Sequence, residues 1–120
     1  MILVDASIWI DQLHRPDAQF AELLHDQTVV MHPFVLGEVM LGSLRDRLGV
    51  RARLDDLDRA PVADDAEVLS LIDSAQLFGA GIGYVDAHLL ASTMLMLGGR
   101  LWTRDRRLAV AAERLGVGFA

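Results

Sequence analysis

Apolar positions along the chain fall into short β-branched runs separated by stretches with helical spacing. Ile2 to Val4 is one such run, closed by Asp5, and the spacing after it predicts a helix from Ala6 to Leu13 that Arg15, Pro16 and Asp17 break. A second helix is expected from Asp17 to His25, with Phe20, Leu23 and Leu24 on one face, followed by a strand from Thr28 to Met31. Pro33 stands where a first helical residue would, opening a helix from Phe34 to Gly42. Leu44, Leu48, Leu54 and Leu57, with charged residues between them, predict an amphipathic segment. Pro61 and Val62 read as a brief third strand. A helix from Asp64 to Phe78 leads into a glycine-rich turn, Gly79 to Gly83, and then a long, mostly apolar helix from Tyr84 to Leu97 that Gly98 and Gly99 stop. Leu101 to Thr103 is a strand, Asp105 to Leu115 a helix and Val117 to Phe119 a last short strand. Strands alternating with helices imply an α/β domain whose mainly parallel sheet is covered on both faces.

Composition narrows the class. With 120 residues, 52% of them hydrophobic, residues 1–120 are expected to form a single domain with a real core. There is no cysteine, so any metal must be held by oxygen or imidazole. The start, MILVDASIWID, lacks a basic leader and makes a poor signal peptide. No apolar stretch reaches the roughly 18 residues of a membrane span, so a cytoplasmic protein without membrane association is expected. The net charge of −6 argues against phosphate binding on average. Locally the picture differs, because all 11 basic residues are arginine and Arg100, Arg104, Arg106 and Arg107 crowd together near the C-terminus. Without any lysine or a Gly-rich phosphate loop, Walker-type NTPases, receiver domains and haloacid-type phosphatases are all disfavoured.

Four carboxylates draw attention. Asp5 ends the first strand and Asp105 follows the Leu101 to Thr103 strand, so right-handed crossovers put both at the same side of the sheet, where open α/β sheets bind ligands. Each, alone, also reads as a helix N-cap. Glu38 is the only charged residue of its helix, among Phe34, Val35 and Leu41, where a carboxylate needs a partner or a cation. Asp86 is the sole acid of the Tyr84 to Leu97 helix, near its start. Gathered in one pocket the four would repel unless a divalent cation compensated, and hard oxygen ligands suit Mg²⁺ or Mn²⁺. Such ions can activate water and stabilise the attacking and leaving oxygens of a phosphodiester.

ILVDASIWID, GEVMLG around Glu38, YVDAHLLAST around Asp86 and LWTRDRRL around Asp105 together resemble the PIN-domain nucleases, and among them the VapC toxins of toxin-antitoxin pairs. The resemblance covers essentially the whole chain. It implies a PIN-like three-layer α/β/α domain with a mainly parallel five-stranded sheet, and an endoribonuclease that hydrolyses structured RNA with Mg²⁺ or Mn²⁺. It places the catalytic metal ligands on Asp5, Glu38, Asp86 and Asp105, with Ser7 and Thr103 as supporting hydroxyls. It further implies a homodimer inhibited by a VapB-like antitoxin. Arg104, Arg106 and Arg107 are candidates for RNA or antitoxin contact, against a reading as an exposed, charged helix start. His88 reads as a core or interface histidine, His32 as the cap of the Pro33 helix, Asp11 as a solvated or Arg-paired acid, and Trp9 and Trp102 as core. The alternative function is a catalytically silent PIN fold that binds RNA or antitoxin; a DNA repair nuclease would carry a longer chain and more basic surface.

Overall fold

The computed structural model describes residues 1–119 and shows helices packed around a parallel sheet. Its elements run β1 (Ile2–Val4), α1 (Ala6–His14), α2 (Ala18–His25), β2 (Val29–Met31), α3 (Pro33–Met40), α4 (Arg47–Asp55), β3 (Asp58–Arg59), α5 (Asp65–Ser74), α6 (Tyr84–Met94), β4 (Arg100–Trp102) and α7 (Arg106–Arg114). Every residue of β1 and β2 is buried, which requires a layer of helices on each face of the sheet. Leu3, Val4, Met31, Val35, Leu89, Leu90, Leu101 and Leu108 form the centre of that core.

Strand order is β3-β2-β1-β4, all pairs parallel. The chain winds outward from β1 through β2 to β3, then returns to lay β4 on the other side of β1. That reversal makes the β1/β4 boundary the switch point of the sheet, the position outside which open α/β sheets bind ligands. Asp5 leaves β1 and Thr103 leaves β4 at this boundary, and the Asp5 amide donates to the Trp102 carbonyl at 2.8 Å.

Two strands differ from expectation. The third lies at Asp58–Arg59 rather than Pro61 and Val62: Ala60 donates to Met31 at 2.9 Å, and Pro61 has no amide with which to continue. Both residues of β3 are exposed at the sheet edge, so pairing there leaves no apolar pattern to read. The expected fifth strand at Val117 to Phe119 is reduced to a single parallel bridge, Leu101 to Gly118, beside a four-stranded sheet. Two hydrogen bonds hold it, Leu101 N to Val117 O at 2.8 Å and Phe119 N to Leu101 O at 3.0 Å. The amphipathic segment expected from Leu44 becomes helical only at Arg47, after Asp46 caps it.

Candidate functional site

Three of the four acids sit at helix N-termini. Asp5 is the N-cap of α1, its Oδ1 accepting from the Ala6 amide at 2.7 Å. Asp105 is the N-cap of α7, its Oδ1 accepting from Arg107 N and Leu108 N at 2.9 and 3.1 Å. Asp86 lies in the first turn of α6 and its Oδ2 accepts from Gly83 N at 3.1 Å. The N-cap reading of Asp5 and Asp105 holds, and Asp86 makes a bond of the same kind at the start of α6. Capping occupies one oxygen of Asp86 and of Asp105, and the positive ends of the helix dipoles partly offset the gathered negative charge.

Asp5 is the buried floor, with 8% of its surface exposed. Its Oδ2 accepts from Thr103 Oγ1 at 2.7 Å and from Ser7 Oγ at 3.2 Å. The same two hydroxyls reach onward: Thr103 Oγ1 accepts from Asp105 N at 3.0 Å and Ser7 Oγ from Arg104 N at 3.2 Å. Both hydroxyls thus brace Asp5 against the segment that carries Asp105.

Glu38, in the second half of α3, accepts no hydrogen bond among the described residues, and its side chain is exposed. This corrects the expectation of a carboxylate sunk in an apolar face. Surrounding protein atoms nevertheless displace enough water to push its carboxyl above the usual range, and the negative charges of Asp5 and Asp86 push it further. Asp86, half-buried, is also raised, first by desolvation and then by Asp5 and Asp105, against the lowering effect of the Gly83 amide. Asp5 acts on Glu38 and on Asp86, and Asp105 acts on Asp86, so the fold brings all four acids into one electrostatic neighbourhood. Among the described residues no three of them close into a ready-made metal cage. The donor set still fits a hard divalent cation: carboxylate oxygens only, with mutual repulsion that a cation would relieve.

The arginines divide. Arg104 pairs with Asp11, as an Arg-paired reading of that acid expects, and so turns along the surface. Arg106 and Arg107 occupy the first turn of α7 and, with Ala80, Val110, Ala111 and Arg114, line a hollow of about 470 Å³. Arg114 is tied to the carbonyl of Ala75 at 2.8 Å. Trp9 is buried against Phe20 at 4.8 Å between centroids, and Trp102 packs on Phe20 and Phe119.

Sequence reasoning missed Asp65. Its Oδ1 accepts from Tyr84 Oη at 2.7 Å and lies 3.1 Å from His88 Nε2, which holds its carboxyl below the usual range. Nothing in the residue pattern singles out one acid at the start of an ordinary helix. His88 is buried, and His32 caps α3 through Nδ1, which accepts from Phe34 N at 3.0 Å.

Residues 2–114 match the PIN domain. The chain belongs to the PIN-domain family. Two relatives are named ribonuclease VapC32, from Mycobacterium tuberculosis strains CDC 1551 / Oshkosh and ATCC 25618 / H37Rv; each is 47% identical to this PIN domain over 120 residues, spanning all of this chain and 97% of the relative. A likeness of that extent includes every segment on which the site is built. No helix of this PIN domain is long and apolar enough to cross a membrane, among the described residues.

Proposed function

We propose that this PIN domain, residues 1–120, is the endoribonuclease toxin of a toxin-antitoxin pair, and that Asp5, Glu38, Asp86 and Asp105 are its catalytic metal ligands. The observation that supports the reading is the hydroxyl of Thr103, which joins Asp5 to the Asp105 amide where β1 and β4 border the switch point of the sheet; the charge of Asp5 raises both Glu38 and Asp86. The likeness to ribonuclease VapC32 supports the activity class.

The four carboxylates would hold Mg²⁺, with Mn²⁺ as the other suitable ion; when bound, the cation supplies activation of a water and neutralisation of charge on the scissile phosphodiester of structured RNA. Every other task falls to the chain. Thr103 and Ser7 hold Asp5 in one orientation, and the Gly83 amide does the same for Asp86. Glu38 accepts no hydrogen bond among the described residues and its carboxyl is raised, so it is free to turn toward a cation. Arg106 and Arg107 lie at the positive end of α7, where cations are disfavoured by about 0.3–1 kcal/mol each. That placement suits an anion beside Asp105, and we assign them to the RNA backbone or to the antitoxin. Leu41, Leu48 and Leu97 are almost fully exposed, which fits surfaces covered by a second copy in a homodimer and by a VapB-like antitoxin. Cytoplasmic location follows from the substrate.

Cleavage of a total RNA pool by purified, antitoxin-free protein tests the reading. Discrete fragments are expected with Mg²⁺ and none with EDTA. Asp5→Asn and Asp86→Asn are expected to lose more than about 100-fold, beyond the usual cost of residues behind metal ligands. Cleavage that persists in both variants overturns the site, and RNA binding without cleavage supports the silent-module alternative.

A further inference from the structure

Four buried polar side-chain atoms have no hydrogen-bond partner among the described residues: Trp9 Nε1, His32 Nε2, His88 Nδ1 and Ser92 Oγ. Trp9 packs against Phe20. The other three belong together. His88 and Ser92 are four residues apart on α6 and so share a face. His32 is near enough to feel the charge of His88, and both rings stand edge-on to Phe34, with centroids 5.1 and 4.9 Å away. All three residues are at least nine-tenths buried.

Hydrogen bonds already made fix what the orphaned atoms are. His32 Nδ1 accepts from the Phe34 amide, so in the neutral ring the proton sits on Nε2 and that atom is a donor. His88 Nε2 faces the Asp65 carboxylate and donates to it, which leaves Nδ1 as an acceptor in the neutral ring. Ser92 Oγ can do either. Its neighbour Thr93 turns its hydroxyl back to the Leu89 carbonyl at 2.7 Å, whereas the Ser92 hydroxyl makes no such bond. One donor, one acceptor and one hydroxyl form the partner set of a buried water, which typically has about three. A cation is excluded because His32 Nε2 carries a proton.

We propose that His32 Nε2–H, His88 Nδ1 and Ser92 Oγ converge on one buried water that fixes the helix bearing Glu38 against the helix bearing Asp86. The resulting line runs from the first turn of α3 through His32, the water and His88 to Asp65 on α5. Glu38 and Asp86 repel each other, and a shared polar link between their helices holds the two carboxylates at a set separation. His32, His88 and Ser92 are positioning residues in this scheme. The effect on catalysis rests on the metal-ligand reading of Glu38 and Asp86; the water site itself does not.

Nitrogen-15 NMR of the intact chain decides it. Both rings are expected as the Nε2–H tautomer, with a cross-peak from His32 Nε2–H to a long-lived water and exchange slower than at the exposed His14 and His25. Ser92→Ala and His88→Gln are expected to speed that exchange by about tenfold, while His88→Asn, whose amide oxygen lies where Nδ1 was, keeps it slow. In cleavage, His88→Gln is expected to lower kcat about tenfold with KM unchanged, and His88→Asn to restore it. His32 protonated on Nδ1, or a His32 signal indifferent to Ser92→Ala, overturns the water site. If the wild-type protein cleaves no RNA, the metal-ligand reading fails while the spectra still decide the water.

Discussion

Thr103→Val removes one hydroxyl and keeps the shape of the side chain. Two hydrogen bonds go with it, the donation to Asp5 Oδ2 at 2.7 Å and the acceptance from Asp105 N at 3.0 Å. A hydrogen bond to a charged group contributes about 1.5–3 kcal/mol and a neutral one about 0.5–1.5 kcal/mol. The first is only partly buried and the freed Asp105 amide can meet water, so the lower ends of both ranges apply and the sum is about 2 kcal/mol. For a chain of this length that is a fall in Tm of about 8 °C. Activity is expected to fall about 10–100-fold, because Asp5 keeps only the longer bond from Ser7 to hold its outer oxygen. Urea unfolding followed by circular dichroism measures the first effect and RNA cleavage the second, with Thr103→Ser as the hydroxyl-retaining control. A loss below about 0.5 kcal/mol with unchanged cleavage, or a Thr103→Ser variant as impaired as Thr103→Val, would refute the bracing role.

Other perturbations separate stability from activity. Glu38→Gln removes a carboxylate that Asp5 and Asp86 repel; allowing for its exposure, the metal-free protein is expected to gain about 0.5 kcal/mol in melts while cleavage is lost, and a loss of stability counts against the coupling. His32, lowered by burial and then by His88 to about 4, binds fewer protons folded than unfolded, so its contribution is present above the unfolded value and lost as pH falls. Between pH 7 and 4.5 the wild type is expected to lose about 2–3 kcal/mol more than His32→Asn, which keeps an acceptor for the α3 cap; parallel acid slopes in urea titrations would contradict this. Gly81→Ala puts a Cβ at φ +79° and 2.6 Å from Arg107 Nη1. A cost of about 1–2 kcal/mol is expected in thermal melts, and no change would mean that the turn before α6 is slack.

Much of this protein is decided by residue order alone. Alternation of β-branched runs with helical spacing specifies a parallel α/β sheet, since both faces of each inner strand must be apolar, and β1, β2 and β4 lie within a residue or so of where that pattern puts them. Asp5, Glu38, Asp86 and Asp105 can be singled out as candidates because each stands at or just after a strand end or is the sole acid of its helix. Helix capping by Asp5, Asp105 and His32 is equally local and equally readable. Tertiary structure decides whatever depends on contact across the chain. The edge strand β3 and the single Gly118 bridge are backbone pairings that leave no side-chain signal. Exposure of Glu38 depends on what does not pack against α3, and the diversion of Arg104 to Asp11 depends on a meeting of β4 with α1. The meeting of His32 and His88, 56 positions apart, on the ring of Phe34 depends on the same closure of the sheet, because proximity at that separation is created only when the core forms.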